Sequence, residues 1–189
     1  MKEYELKILG IKPTEARKRL LHLGAKKTGH FHYKRIIFPL KGKKGENRWF
    51  RLRSDGKKHV LTLKINVGHS ISDTQEYEVA VQDFNKCAKL LCSAFQDRYY
   101  EENDRELYSL EGAEITIDKW PYIPYLAEIE AHSAKKVKEM YKKLKISGKP
   151  FGNVPAGEVY KHYGLDVREM AKKNEKKLRA IISGRAHAG

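Results

Sequence analysis

Residues 3–7 read EYELK. Glu3, Glu5 and Lys7 alternate with Tyr4 and Leu6, and in a β-strand positions i, i+2 and i+4 point to one face. Two carboxylates and an ammonium thus form a row on one side, with apolar groups on the other. A solvated strand accounts for one such row, but this one recurs. RLR (51–53) sets Arg51 and Arg53 against Phe50 and Leu52, and LTLK (61–64) sets Thr62 and Lys64 against Leu61 and Leu63. EYEV (76–79) presents Glu76 and Glu78, EITID (114–118) presents Glu114, Thr116 and Asp118, and EIE (128–130) presents Glu128 and Glu130.

Around these rows the pattern alternates strands with a few amphipathic helices. EARKRLLHLG predicts a helix capped near Thr14 and ending at Gly24. HFHYKRIIFPL, WFRLRS, HVLTLKINV and EYEVAV follow as strands, and FNKCAKLLCSAF as a second helix. QDRYYEEN, RELYSLEG, AEITID and YLAEIEA add strand-like runs, SAKKVKEMYKKLKI a third helix, and GKPFGNVP a loop. EVYKHYG reads as a short helix and DVREMAKKNEKKLRAII as a helical tail. About eight strands joined mostly by hairpins imply an antiparallel sheet in an α+β fold. The expected division is a domain over residues 1–165 and a basic helical tail over 166–189.

With 189 residues, 39 Lys+Arg against 24 Asp+Glu and a net charge of +15, the chain favours anionic partners: nucleic acid, phosphorylated metabolites or an acidic membrane surface. Charged residues make up 33% and mean hydropathy is −0.70. No apolar run approaches the ~18 residues of a membrane span, and the first residues lack the apolar segment of a signal peptide. Cys87 and Cys92 lie five apart with no CxxC spacing, as reduced packing residues of a cytoplasmic protein would.

Each strand thus has an apolar face and an ionisable one. If the ionisable faces are outside, the apolar ones make an ordinary core. If the sheet closes with them inward, the lumen holds carboxylates and cations together, and the helices cover the apolar outer faces. Unpaired charge in a lumen is costly unless metal ions neutralise the carboxylates and a polyanion the cations. Glu pairs at i, i+2 supply hard oxygens for Mg²⁺ or Mn²⁺. Arg51 and Arg53 offer planar forks for phosphate oxygens, with Lys7 and Lys64 as point charges.

In this order, ExExK, RLR, LTLK, EYE, ID and EIE resemble the CYTH superfamily of triphosphate tunnel metalloenzymes. That superfamily includes class IV adenylate cyclases, thiamine triphosphatases and inorganic triphosphatases. The resemblance runs from Glu3 to about Gly164, and EITIDKWPYIPYLAEIEA is similar to an uncharacterised prokaryotic branch. It implies a closed antiparallel β-barrel with a triphosphate tunnel and helices packed outside. It further implies metal binding by Glu3, Glu5, Glu128 and Glu130, and triphosphate binding by Lys7, Arg51, Arg53, Lys64 and Arg105. Asp118 with Glu78 or Glu76 would serve a second metal or position water, the register leaving open which glutamate faces the tunnel. Many relatives have a lysine before a Tyr-Gln-Glu-like stretch, where this chain has Arg98 before YYEEN; Arg98 is placed with the triphosphate ligands. Lys161 is the available cation where some triphosphatases use a helical plug.

The implied activity is hydrolysis of an inorganic, thiamine or nucleoside triphosphate with Mg²⁺ or Mn²⁺ as cofactor. The alternatives are conversion of ATP to cyclic AMP and pyrophosphate, or non-catalytic RNA binding driven by the +15 charge. The carboxylates at strand spacing weigh against nucleic acid, and no membrane partner is expected. His30 and His32, Trp49 and Trp120, Tyr99 and Tyr100, and the loop KGKKGEN read as surface, packing and turn residues.

Overall fold

A computed structural model describes residues 2–67 and 74–183, with the side chains of Lys2, Glu3 and Thr74 not described. Among these residues are nine strands: β1 (Lys2–Leu9), β2 (Lys26–Leu40), β3 (Asn47–Ser54), β4 (His59–Asn66), β5 (Thr74–Val81), β6 (Tyr99–Leu110), β7 (Ala113–Lys119), β8 (Leu126–Ala131) and β9 (Lys149–Gly152). Six helices accompany them: α1 (Pro13–His22), α2 (Phe84–Ala94), α3 (Ala134–Leu144), α4 (Ala156–His162), α5 (Val167–Lys172) and α6 (Glu175–Ile182). The strands bond in the order β5-β4-β3-β2-β6-β7-β8-β1-β9, and β1 also pairs with β5. The registers among β1, β2, β3, β4, β6, β7, β8 and β9 are antiparallel, as the hairpin-rich sequence implies.

Three elements differ from the sequence pattern. The two runs on either side of Asp104 form one twelve-residue strand, β6. The segment KPFG, predicted as loop, is β9, paired with β1. Its approach depends on Gly148, at φ +111°, where a Cβ would lie 2.6 Å from the Leu9 carbonyl oxygen. α1 starts at Pro13, so Thr14 lies inside it; its proline-first start suits a helix because Pro has no N–H to leave unbonded. Asp83 and Ser133 do cap α2 and α3, accepting from the backbone N–H of Lys86 and Lys136.

The chain divides into two compact units. The first comprises residues 1–32, 67–75 and 103–154. In it Leu6 and Ile8 of β1, Ile115 and Ile117 of β7 and Ala127 and Ile129 of β8 share one sheet face. Ala16 and Leu20 of α1 and Val137, Met140 and Leu144 of α3 pack on that face. The second unit comprises residues 33–66, 76–102 and 155–189. There Ile36 and Phe38 of β2 and Leu52 of β3 face Phe84, Ala88, Leu91 and Cys92 of α2 and Leu178 and Ile181 of α6. Cys87 and Cys92 are both free, and burial pushes their thiols up. In both units helices pack on the apolar sheet face, although Tyr77 and Val79 of β5 stay exposed, and the ionisable rows lie on the opposite face.

Candidate functional site

In the first unit the registers align the charged rows across strands. Glu114 of β7, Glu130 of β8 and Glu5 of β1 form one row, and Thr116, Glu128 and Lys7 form the next. Asp118 lies opposite Arg105 of β6. Glu5, Lys7 and Glu128 are no more than 9% exposed and Asp118 is fully buried, whereas Glu114 and Glu130 are exposed. The Lys7 ammonium pairs with Glu5 and lies 3.2 Å from Glu128 Oε1. Arg105 donates through Nε to Asp118 Oδ1 at 2.7 Å and through Nη2 to Glu128. Thr116 Oγ1 donates to Asp118 Oδ2 at 2.6 Å, and the Asn103 amide donates to Oδ1.

These contacts set the protonation states. Burial works against the Lys7 charge, but Glu128 and Glu5 outweigh it and hold its pKa above the ordinary value. Arg105 is likewise held above its usual value, Asp118 and Glu128 overcoming desolvation. Asp118 is pushed up, chiefly by burial and further by Glu128, against the pull of Arg105. Three buried carboxylates share two cations here, and two exposed carboxylates extend the row. Among the described residues of this face, carboxylates outnumber cations.

The second unit has the reverse balance. Arg35 of β2 lies directly opposite Arg53 of β3, and Arg51 opposite Thr62 of β4. Like charges directly opposite one another are destabilising, yet Arg35 is only 4% exposed. Both guanidiniums rest on the Tyr33 ring, with Cζ 4.9 and 5.0 Å from its centroid. Lys64 pairs with Glu76, which also lies 3.6 Å from Arg51 Nη2. Glu78 accepts from Thr62 Oγ1 at 3.1 Å. Being two apart, Glu76 and Glu78 share a face and both meet the polar row of β4, so the register choice between them does not arise.

Some expected residues go elsewhere. Arg98 does not join either cluster: its Nη1 donates to the carbonyls of Phe95 and Gln96, at 3.1 and 3.0 Å. Alternation explains this correction, because Arg98 shares the face of Tyr100, which is buried among the α2 and α6 side chains. The Glu3 side chain lies outside the described residues. Lys161 is exposed on α4. His32 is exposed and bonds Asp104 through Nδ1 at 2.8 Å, a surface role as expected. Sequence reasoning missed Arg35, Glu101 and Asn103. The last two could have been found by counting back in twos from Arg105 along β6.

Whether the acidic row suits a divalent cation is tested by its donors. Among the described residues no group of three or more His, Cys, Asp or Glu side chains converges as a ready-made metal centre. The donors present are hard carboxylate oxygens, and the Lys7 ammonium already stands as a cation between Glu5 and Glu128. That chemistry fits Mg²⁺ or Mn²⁺ better than a softer ion. No helix of the described residues is long and apolar enough to cross a membrane.

Comparison with known proteins supplies the family. The model of the CYTH domain matches residues 1–152. No curated protein is matched by the sequence. Among solved structures, the PH1012 protein from Pyrococcus horikoshii OT3 superposes with a TM-score of 0.63 at 17% identity, over 79% of this chain and 96% of that one. A conserved hypothetical protein from Pyrococcus furiosus gives 0.63 at 21%, over 77% and 91%. HpAC1 from Hippeastrum, an adenylyl cyclase candidate described as having a dominant triphosphatase activity, gives 0.57 at 17%, over 87% and 97%. At these identities the structural likeness carries the fold, the antiparallel tunnel barrel with helices outside. With the family model spanning most of its length, the chain belongs to the CYTH domain family.

Proposed function

We propose that this protein hydrolyses a triphosphate-containing substrate with the help of a divalent cation. The observation that supports the reading is the opposite charge balance of the two polar faces. Among the described residues, carboxylates outnumber cations on the first face, which suits a metal ion, and Arg35, Arg51, Arg53 and Lys64 outnumber Glu76, Glu78 and Glu101 on the second, which suits a polyphosphate. Glu5, Glu128 and Glu130, with Glu3, would hold Mg²⁺ or Mn²⁺. When bound, that ion would neutralise charge developing on the transferring phosphoryl group. Lys7, which holds Glu5 and Glu128, would offer its ammonium to a phosphate oxygen. Arg51, Arg53, Lys64 and Arg105 bind phosphate oxygens, with Arg35 joining them as the cross-strand partner of Arg53. Asp118, held by Thr116 and Asn103, keeps Arg105 aimed; Glu76 or Glu78 would accept a proton from water or serve a second ion. The likeness to HpAC1, with its dominant triphosphatase activity, agrees with hydrolysis as the main reaction.

The test is to incubate the purified protein with tripolyphosphate, thiamine triphosphate or ATP, each with Mg²⁺, Mn²⁺ or chelator. Metal-dependent phosphate release from at least one substrate is the expected result. Cyclic AMP and pyrophosphate as the main products from ATP would replace hydrolysis with cyclase chemistry. No turnover of any substrate, with salt-sensitive RNA binding instead, would overturn the enzyme reading.

A further inference from the structure

β6 sends Tyr99 and Glu101 to the polar face of the second unit, alternating with Tyr100 and Glu102 on the helix-covered face. Tyr100 lies in that core and donates to Glu102, which pairs with Lys177 of α6. Glu101 is 8% exposed, and its Oε2 is inaccessible with no hydrogen-bond partner among the described residues. Leaving a buried carboxyl oxygen unsatisfied is destabilising, more so if it is charged. The charged groups that act on it are Arg35 from β2 and Arg51 from β3. Arg51 also faces Glu76, the partner of Lys64. On its own strand the nearest titratable group on that face is Tyr99, whose phenol burial and Glu101 keep protonated. Two guanidiniums favour the carboxylate, but burial outweighs them and pushes Glu101 up to about 7.

The hydrogen-bonding inventory narrows what can complete this group. A protonated carboxyl has an O–H to donate, and a guanidinium has only donors, so neither Arg35 nor Arg51 can receive that proton. A single species answers all three residues: an oxygen-rich anion that accepts from both guanidiniums and from the acid. A phosphoryl group has that composition.

We propose that Glu101 contacts substrate, donating its carboxyl proton in a hydrogen bond to a phosphate oxygen held by Arg35 and Arg51, so that binding of a polyphosphate to this face takes up a proton from solvent. The inference rests on the reading that this face binds phosphate. No bond other than the hydrogen bond forms: an ionised Glu101 gains one proton as the anion arrives and returns it when the anion leaves.

Isothermal titration with inorganic tripolyphosphate, without divalent metal, tests this on wild type, Glu101→Gln, Glu101→Leu and Arg51→Ala. Titrations at about pH 6.5 and about pH 8.5, in buffers of different ionisation enthalpy, give affinity and proton uptake together. The ligand's own titration is common to all four proteins and cancels in the comparison. Glutamine retains a donor that needs no proton. Glu101→Gln should therefore bind as wild type does at the lower pH, and about tenfold or more tighter than wild type at the higher, as ~1.5 pH units above a group's pKa implies. Its proton uptake should be smaller at the higher pH. Glu101→Leu, which removes the donor, should bind more weakly at the lower pH while melting no lower than wild type. If Glu101→Gln follows the pH dependence and proton uptake of wild type while Arg51→Ala loses affinity, the Glu101 inference is wrong and phosphate binding stands. If wild type does not bind tripolyphosphate at either pH, both are overturned.

Discussion

On the polar sheet face of the first unit, Glu5, Asp118 and Glu128 share the cations Lys7 and Arg105, and every one of these contacts is close. On the polar face of the second unit, Arg35 and Arg53 lie directly across from one another and share a tyrosine ring. Both faces are made the same way, from alternating strands whose apolar side packs, β5 apart, against helices. In the first unit cations hold buried acids in place; in the second, among the described residues, Arg35, Arg51, Arg53 and Lys64 outnumber the acids Glu76, Glu78 and Glu101. Removing a cation should therefore have opposite consequences for stability in the two units.

Arg105→Ala is the strongest way to break that comparison. It leaves Asp118, which is fully buried, and Glu128 without their guanidinium. Breaking a buried ion pair from one side costs roughly 3–5 kcal/mol, which chemical denaturation will read directly. Loss of less than about 1 kcal/mol would mean that Asp118 takes a proton at little cost and that the first unit is not organised by its ion pairs.

Arg53→Ala should act through function. It removes the like charge facing Arg35, so stability should hold within about 0.5 kcal/mol or rise slightly. The fall in kcat/KM on the best triphosphate should be worth roughly 2 kcal/mol if the guanidinium meets a desolvated phosphate. A variant that is strongly destabilised yet turns over normally would assign Arg53 to the scaffold.

Glu106 sharpens the contrast, because it is an acid paired for structure alone. It lies on the helix-side face of β6, accepting from Arg17 Nε and Nη2, Lys27 and Tyr108. Burial raises its pKa, but the hydrogen bonds from Arg17, Lys27 and Tyr108 win and bring it down to about 2. A depressed carboxylate contributes stability above its unfolded value near 4.5, and that contribution is lost as pH falls through about 2. Because Arg17 and Lys27 are partly exposed, the contribution at neutral pH is about 1–2 kcal/mol rather than the full linkage value. Glu106→Gln should therefore be less stable than wild type by that amount at neutral pH, with the gap closing towards pH ~2. Equal stability across that range would remove Glu106 from the ion-pair account.

The strand rows were legible because alternation is a local property: EYELK, RLR, LTLK, EITID and EIE each display their two faces without tertiary information. Registers were not. That Glu5 lies across from Glu130, or Arg53 from Arg35, depends on hairpin geometry and on which strands become neighbours. Arg35 was hidden because its strand, HFHYKRIIFPL, passes from polar to apolar with no clean period. Glu101 and Asn103 were hidden because YYEENDRE was split into two runs, which lost the count in twos that links them to Arg105. β9 was missed because four residues of KPFG carry no alternation, and pairing with β1 supplies the order instead.

The smallest predicted effect belongs to Arg98, and it tests the face assignment on which the Glu101 inference depends. By family resemblance Arg98 stands where relatives carry a lysine, yet its guanidinium donates to Phe95 and Gln96 carbonyls just beyond α2. Those two carbonyls belong to residues that are half-buried and exposed, so water can replace much of what Arg98 supplies. Exchanging such hydrogen bonds for water is worth about 0.5–1 kcal/mol. Tyr100 and Glu102, two and four residues on, continue Arg98's side of the strand into the helix-covered core and on to α6. Arg98→Ala should thus lower stability by less than about 1 kcal/mol and leave kcat/KM on the best triphosphate unchanged. A tenfold or larger fall in kcat/KM with normal stability would put Arg98 among the phosphate ligands. The first residues of β6 would then present the opposite face, and Glu101 would turn away from Arg35 and Arg51.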